Sequence, residues 1–239
     1  MRPVGDGNSA SPPDELFDVL NADGSPTGEV KRRADVHRDG DWHRAFHLWI
    51  VARSDSGANE VLFQRRSARK DTWPGRLDIA VGGHYRAGET IEDVVREIDE
   101  EMGIQPRLEQ LVYVGQRRSE SLKSAWQDRE LQDVYILAFH GELPQFAPNF
   151  DEIESLLRID ARELVHLVNR SVETVVALSA SVIADRQLGD WHSVAIGLDD
   201  FVPDRDGYLV RGTLAGQRVL AGESRVSLDD PPSVRGKMT

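Results

Sequence analysis

Three carboxylates carry the most specific chemistry in this 239-residue chain: Glu97, Glu100 and Glu101 stand at i, i+3 and i+4 of a segment with helical spacing. On a helix that spacing gathers them on one face. Like charges so placed repel one another unless cations lie among them, and hard divalent ions such as Mg²⁺ take oxygen donors of this kind. Taken alone, the three also fit a solvated acidic helix face. A second cluster is basic, Arg65, Arg66, Arg69 and Lys70, and it stands out against a net charge of −12. Arginine matches phosphate oxygens bidentately; the competing reading is a positive loop that balances the acidic helix. Glu101 and Glu130 are candidates for a general base, and Glu130 fits a remote metal ligand or a solvated loop carboxylate equally well. His37, His43 and His84, taken singly, are more often structural than ligating. Trp42, Trp73 and Trp126 are expected to pack rather than to stack on a base. The chain has no cysteine, which removes thiolate catalysis, disulfides and zinc–sulfur sites together.

The acidic face needs a helix under it. Ile91, Val94, Val95, Ile98 and Met102 recur at helical spacing from Thr90 to Met102, with Gly103 placed as a C-cap. Strands are expected before it at Leu16–Leu20, His43–Ala52, Glu60–Gln64 and Leu77–Val81, the second and third as a hairpin across Ser54–Ala58. Further strands are expected at Leu111–Gly115 and Val134–Phe139, then helices at Glu163–Val168 and Val172–Arg186. Phe201–Val210 reads as a turn leading to a short strand. Strands, helix, strands, helices is the order of an α+β sandwich with a mixed sheet, not of regular βαβ units.

The segment around the helix resembles the box of the Nudix hydrolases, G-x5-E-x7-R-E-U-x-E-E-x-G-U, with U aliphatic. Gly83, five residues and Glu89 match its first half, and Arg96-Glu97-Ile98-Asp99-Glu100-Glu101-Met102-Gly103-Ile104 matches every specified position of the second. Only six residues, Thr90 to Val95, separate Glu89 from Arg96 where seven are usual, so the entry to the helix is expected to be shortened and its carboxylate face kept. The resemblance implies an α/β/α sandwich and cleavage of a diphosphate linkage by water; the helix read over Val172–Arg186 adds a C-terminal helical extension. It implies metal ligation by Glu97, Glu100 and Glu101, with the Gly83 carbonyl as a further ligand and Arg96 orienting the carboxylates. It implies Mg²⁺ as the cofactor, with Mn²⁺ as the alternative. The stretch from Val36 through Trp42-His43, Gln64–Gly75 and Val81–His84 also resembles type I isopentenyl-diphosphate isomerases and related hydrolases. That likeness implies diphosphate binding by Arg66 and Lys70, and raises a metal site at His37, His43 and His84. The isomerases carry a cysteine two residues before the last of these histidines. Gly82 stands there, so the resemblance points to hydrolysis and away from isomerisation.

The expected organisation is a tail over 1–13, the Nudix-like domain over 14–170, an extension over 171–223 packed on it, and a second tail over 224–239. Both tails are short of the apolar residues that would offset ordering. The acidic balance argues against a nucleic-acid partner, and no run approaches the 18 or more apolar residues of a membrane span. With no apolar leader in Met1–Pro13, the expected location is cytoplasmic. The expected partner is a small-molecule diphosphate, and a homodimer stays open. The leading expectation is hydrolysis of a nucleoside diphosphate or a nucleoside diphosphate-linked compound. The alternatives are action on isoprenoid diphosphates and a non-catalytic sensor of a diphosphate ligand.

Overall fold

The computed structural model describes residues 15–230 apart from 55, 71, 124, 125, 141, 142 and 144. In chain order its elements are β1 Leu16–Leu20, β2 Pro26–Arg32, α1 Arg33–Asp39, β3 Trp42–Arg53, β4 Asn59–Arg66, β5 Leu77–Ile79 and β6 Val81–His84. Then follow α2 Ile91–Met102, β7 Leu111–Lys123, β8 Trp126–His140, β9 Ile153–Asp160 and α3 Ala161–Val168. The chain continues through β10 Thr174–Ala184, β11 Gln187–Leu188, β12 His192–Gly197 and α4 Tyr208–Leu220.

Everything hangs on β3. Its run of aromatic and β-branched residues is apolar on both faces, as a strand covered on both sides requires. Phe46, Leu48 and Ile50 enter one buried cluster with Val94, Ile98 and Met102 of α2, while Trp49 and Val51 enter another with residues of α3 and α4. One edge of β3 pairs in parallel with β8 from Trp42 to Arg53, and β8 pairs antiparallel with β7. The other edge is divided: residues 45–48 pair with β6 and residues 50–53 with β4. β4 then pairs with β5 and with β9. The result is the expected sandwich, α2 on one face of a mixed sheet and α3 with α4 on the other. The strand expected over Leu77–Val81 is split at buried Ala80 into β5 on β4 and β6 on β3. That fork opens the sheet where the candidate site lies.

The C-terminal third departs from expectation. Val172–Arg186 is not a helix: Thr174–Ala184 is a strand between β9 on one side and β12 with β11 on the other. Its two pairs of adjacent β-branched residues explain this. Val175 and Val182 are 5% and 6% exposed, whereas their neighbours Val176 and Ile183 are 67% and 60% exposed. Neighbours on opposite faces are the mark of a pleat, and β-branched side chains suit it. Phe201–Val210 does not lead to a strand, since α4 begins at Tyr208. Both carboxylate oxygens of Asp204 accept hydrogen bonds there, from the backbone N–H groups of Tyr208 and Leu209, and so cap the helix. The tail expected from 224 is docked as far as Leu228, which is 2% exposed and donates its N–H to the Val114 carbonyl at 2.7 Å. The tail expected over 1–13, and residues 231–239, lie outside the described residues. Among the described residues, no helix is long and apolar enough to cross a membrane.

Candidate functional site

Glycines set the entry to the acidic helix. Gly88 takes φ +78°, and the Thr90 N–H donates to Asp93 at 2.9 Å, closing the first turn immediately after Glu89. The six residues after Glu89 thus hold a capped helix start and lead straight to Arg96. Glu97, Glu100 and Glu101 all reach one cleft of about 560 Å³. Glu89 stays beside them: its Oε2 accepts the Arg86 N–H at 2.8 Å and its Oε1 lies 3.4 Å from Arg96 Nη2. Arg96 donates its other guanidinium nitrogen to Glu100 at 2.6 Å, so it ties Glu89 to Glu100 along the helix. Gly83 on β6 completes this side. A Cβ there would stand 2.5 Å from Glu97 Oε2 and 2.7 Å from the Phe46 ring, so the carboxylate rests against the glycine backbone.

Burial, followed by the charges of Glu101, Glu15 and Glu89, pushes the Glu97 carboxyl up to about 8. Burial also raises Glu101, opposed by Lys70 and Arg66 across the cleft. Buried carboxyls whose pKa values are both raised, Glu97 to about 8, with a glycine backbone against Glu97, fit a divalent cation. Glu97, Glu100, Glu101 and the Gly83 carbonyl could hold it.

The predicted phosphate ligands both line this cleft, each with a protein partner. Arg66 donates Nε to the Thr72 carbonyl at 2.9 Å, Nη2 to the Thr72 hydroxyl at 3.0 Å and Nη1 to Asp78 at 3.1 Å. Lys70 forms an ion pair with Glu152, and burial holds its ammonium below the usual lysine range. Trp73 lines the cleft with φ +50°, Trp42 is buried with the Arg118 guanidinium 4.0 Å above its ring, and the Trp126 side chain lies outside the described residues.

On the opposite face of β3, His37, His43 and His84 come together with Asp128, one ligand atom from each lying within 4.8 Å of the others. His43 Nε2 and Asp128 Oδ1 are buried without a hydrogen bond, 3.4 Å apart. Burial and then the neighbouring histidines hold His37 down to about 3 and His43 to about 4, so both rings are neutral and ready to ligate. Burial and then Glu130 push Asp128 up to about 9. Burial works against ionisation of Glu130 as well, but with its hydrogen bond to His84 at 2.9 Å the carboxyl is held well below its usual range. Imidazole and carboxylate donors so arranged suit a transition metal. Glu130 therefore belongs with this cluster, its second oxygen accepting from Gln132. Asp128 was not singled out in the sequence; its i, i+2 relation to Glu130 on one strand face was the available signal. His47 and Tyr208, which also line the cleft, were likewise missed.

The family model for the NUDIX domain matches residues 41–175. An uncharacterised Nudix hydrolase of Clostridium acetobutylicum is 32% identical over 197 residues, covering 82% of this chain and 93% of that protein. Nudix hydrolase 3 of Arabidopsis thaliana is 37% identical over 134 residues, 55% of this chain and 17% of that protein. The isopentenyl-diphosphate Δ-isomerase of Escherichia coli is 28% identical over 149 residues, 62% of this chain and 78% of the isomerase. Among solved structures, a Deinococcus radiodurans protein aligns with a TM-score of 0.46 at 20% identity, over 65% of this chain and 90% of that one. With the box residues, the fold around them and relatives spanning most of the chain in agreement, the protein belongs to the Nudix hydrolase family and is a pyrophosphohydrolase.

Proposed function

We propose that the enzyme hydrolyses the diphosphate linkage of a nucleoside diphosphate or of a nucleoside diphosphate joined to a further group, with Mg²⁺ as its cofactor. The observation that carries this reading is the convergence of Glu97, Glu100 and Glu101 with the Gly83 backbone on a cleft that also holds Arg66 and Lys70. Bound there, the cation supplies Lewis-acid activation of water and neutralises charge on the phosphoryl oxygens. Mn²⁺ suits the same oxygen donors.

The side chains divide the remaining work. Arg96, bonded to Glu100 and close to Glu89, holds the carboxylate face in one arrangement. Arg66 is fixed by Thr72 and Asp78 and presents its remaining N–H donors to a phosphate, with Lys70 adding positive charge beside it. Both Glu130 oxygens are engaged, by His84 and Gln132, which leaves Glu101 as the better placed general base. Glu130 supports the histidine cluster, where His37, His43, His84 and Asp128 offer a second metal position. The substrate enters as a small molecule, without nucleic acid or membrane.

The likeness to the isomerase favours one second reading, action on an isoprenoid diphosphate. With Gly82 in the cysteine position and no cysteine anywhere in the chain, the thiol for isomerisation is lacking. The experiment is a nucleotide panel with Mg²⁺, products identified, and isopentenyl diphosphate as one member. Turnover on a nucleoside diphosphate compound, lost in Glu100→Gln and Glu101→Gln, is the expected result. Full activity in both variants overturns the assignment, and dimethylallyl product from isopentenyl diphosphate overturns the choice of reaction.

A further inference from the structure

The segment beyond the Nudix-like region builds part of the same cleft, on the face of β3 opposite α2. Tyr208, Gly212 and Gly216 stand one above another on α4, against His47, Trp49 and Val51 on β3. The two repeats match: four helical residues rise about 6 Å, and two strand residues about 6.6 Å. A Cβ at Gly212 would enter the Trp49 ring, and one at Gly216 would lie 2.6 Å from Val51 Cγ1, so the glycines let the helix lie directly on the strand. That close approach delivers the Tyr208 hydroxyl to Trp49 Nε1 at 2.8 Å and to His47 Nδ1 at 3.0 Å.

Indole Nε1–H only donates, so the hydroxyl accepts from Trp49, and among the described hydrogen bonds the acceptor open to its own hydrogen is His47 Nδ1. A ring that accepts at Nδ1 carries its proton at Nε2. His47 lines the cleft, and among the described residues its Nε2 has no hydrogen-bond partner. Its β-sheet partner is Gly82, where a Cβ would stand 3.5 Å from His47 Cδ2 and 3.7 Å from Nε2. Any longer side chain there would spread over this edge of the ring, and glycine leaves it open. Around it the wall is polar: Arg117 donates to Gln132 at 3.0 Å and to Asp206 at 2.7 Å, with its guanidinium 4.1 Å above the Tyr208 ring. These groups satisfy one another, whereas His47 Nε2–H finds no protein acceptor among the described residues.

We propose that α4 completes a polar subsite in which His47, held as the Nε2–H tautomer by Tyr208, donates a hydrogen bond to the non-phosphoryl part of the substrate, selecting a polar group such as a sugar over a hydrocarbon. This rests on the reading of the cleft as a diphosphate site. Burial, which pushes the imidazole down to about 4, keeps His47 a neutral donor across the physiological range.

The test measures binding, so that it is separate from turnover. ADP-ribose and isopentenyl diphosphate are titrated calorimetrically into the full chain with Ca²⁺, for wild type, His47→Leu, His47→Gln and Tyr208→Phe. Wild type binds ADP-ribose at least tenfold more tightly than isopentenyl diphosphate. His47→Leu loses about tenfold for ADP-ribose, as one neutral hydrogen bond implies, and nothing for isopentenyl diphosphate. His47→Gln recovers most of the loss, and Tyr208→Phe falls between. Long-range ¹H–¹⁵N spectra of the free protein show Nε2 protonated. The subsite is overturned by an Nδ1–H tautomer, by equal losses on both ligands, or by failure of wild type to bind ADP-ribose. Binding as described without release of AMP or phosphate overturns hydrolysis alone.

Discussion

Replacing Gly83 with alanine isolates the contact between β6 and the acidic helix. The backbone at 83 is outside the left-handed region, so alanine fits its conformation and the whole effect is steric. The new Cβ would stand 2.5 Å from Glu97 Oε2, 2.7 Å from Phe46 Cε1 and 3.0 Å from Cζ, against the 3.4 Å at which ordinary contact begins. The Glu97 carboxylate can retreat by about an ångström, but Phe46 is 1% exposed and wedged beneath α2, so the β6 backbone must shift as well. Overpacking of this kind costs about 1–3 kcal/mol, equivalent to about 2–12 °C in a protein of this size. The loss in activity is much larger, since a misplacement of about 1 Å in a catalytic array costs about 100-fold. Phosphate release across a Mg²⁺ titration, with thermal melts at zero and saturating Mg²⁺, reads both. The expected pattern is a small loss of stability, a raised Mg²⁺ midpoint and kcat/KM down by about two orders of magnitude. Activity and midpoint both within twofold of wild type would show that Glu97 is not held against Gly83 in the working enzyme, and the assigned ligand set would fall with it.

Burial raises Glu97 from 4.5 to about 8, so its protonated form favours the fold: stability present below about pH 4.5 declines as pH rises towards 8. Denaturant unfolding in chelator should show this decline in wild type, a flatter profile in Glu97→Gln, and recovery at pH 8 on adding Mg²⁺; an identical profile in the variant refutes the assignment. Asp128→Asn removes the carboxylate from the histidine cluster and should lower Mn²⁺ stoichiometry by one, counted by electron paramagnetic resonance. Unchanged stoichiometry rules that site out. Gly212→Ala should cost more than Gly216→Ala, about 3 kcal/mol against about 1, because the rigid, fully buried Trp49 ring blocks it on several atoms; calorimetric melts giving the reverse order would mean that α4 is seated otherwise.

The helix and its carboxylate face were legible in the sequence because both obey local rules. Ile91 to Met102 repeats at a helical period, and i, i+3, i+4 spacing fixes the carboxylate face whatever surrounds it. The central strand was legible for a similar reason, its aromatic and β-branched run leaving little alternative. What escaped was set by partners distant in sequence. Val175–Val176 and Val182–Ile183 satisfy a helical stripe as readily as a pleat, and pairing with β9 and β12 decides between them. The start of α4 at Tyr208 depends on Asp204 as its cap, in a stretch whose Asp, Gly and Pro also describe a turn. The convergence of the three histidines required a register that no local pattern encodes: Ala45 opposite His84, and His43 beside Glu130.

The short strand Gly82-Gly83-His84 explains how one cleft holds such different environments. Side chains alternate across a sheet, so consecutive residues of β6 serve opposite faces. Gly83 faces α2, where it admits Glu97 against the backbone. Gly82 and His84 face the other way, the first leaving the His47 ring open and the second joining the histidine cluster. The strand reaches this position because the chain breaks from β4 at Ala80 and crosses to β3, where the fork between β4 and β6 keeps both faces open to the same space. A shift of one residue in the β3–β6 register would exchange the faces, placing a histidine against Phe46 and a glycine in the cluster. The acidic helix alone therefore sets a carboxylate face; on the proposed reading this face takes the divalent cation, and the group that accompanies the diphosphate meets the far side of β6, among residues that the C-terminal segment brings in.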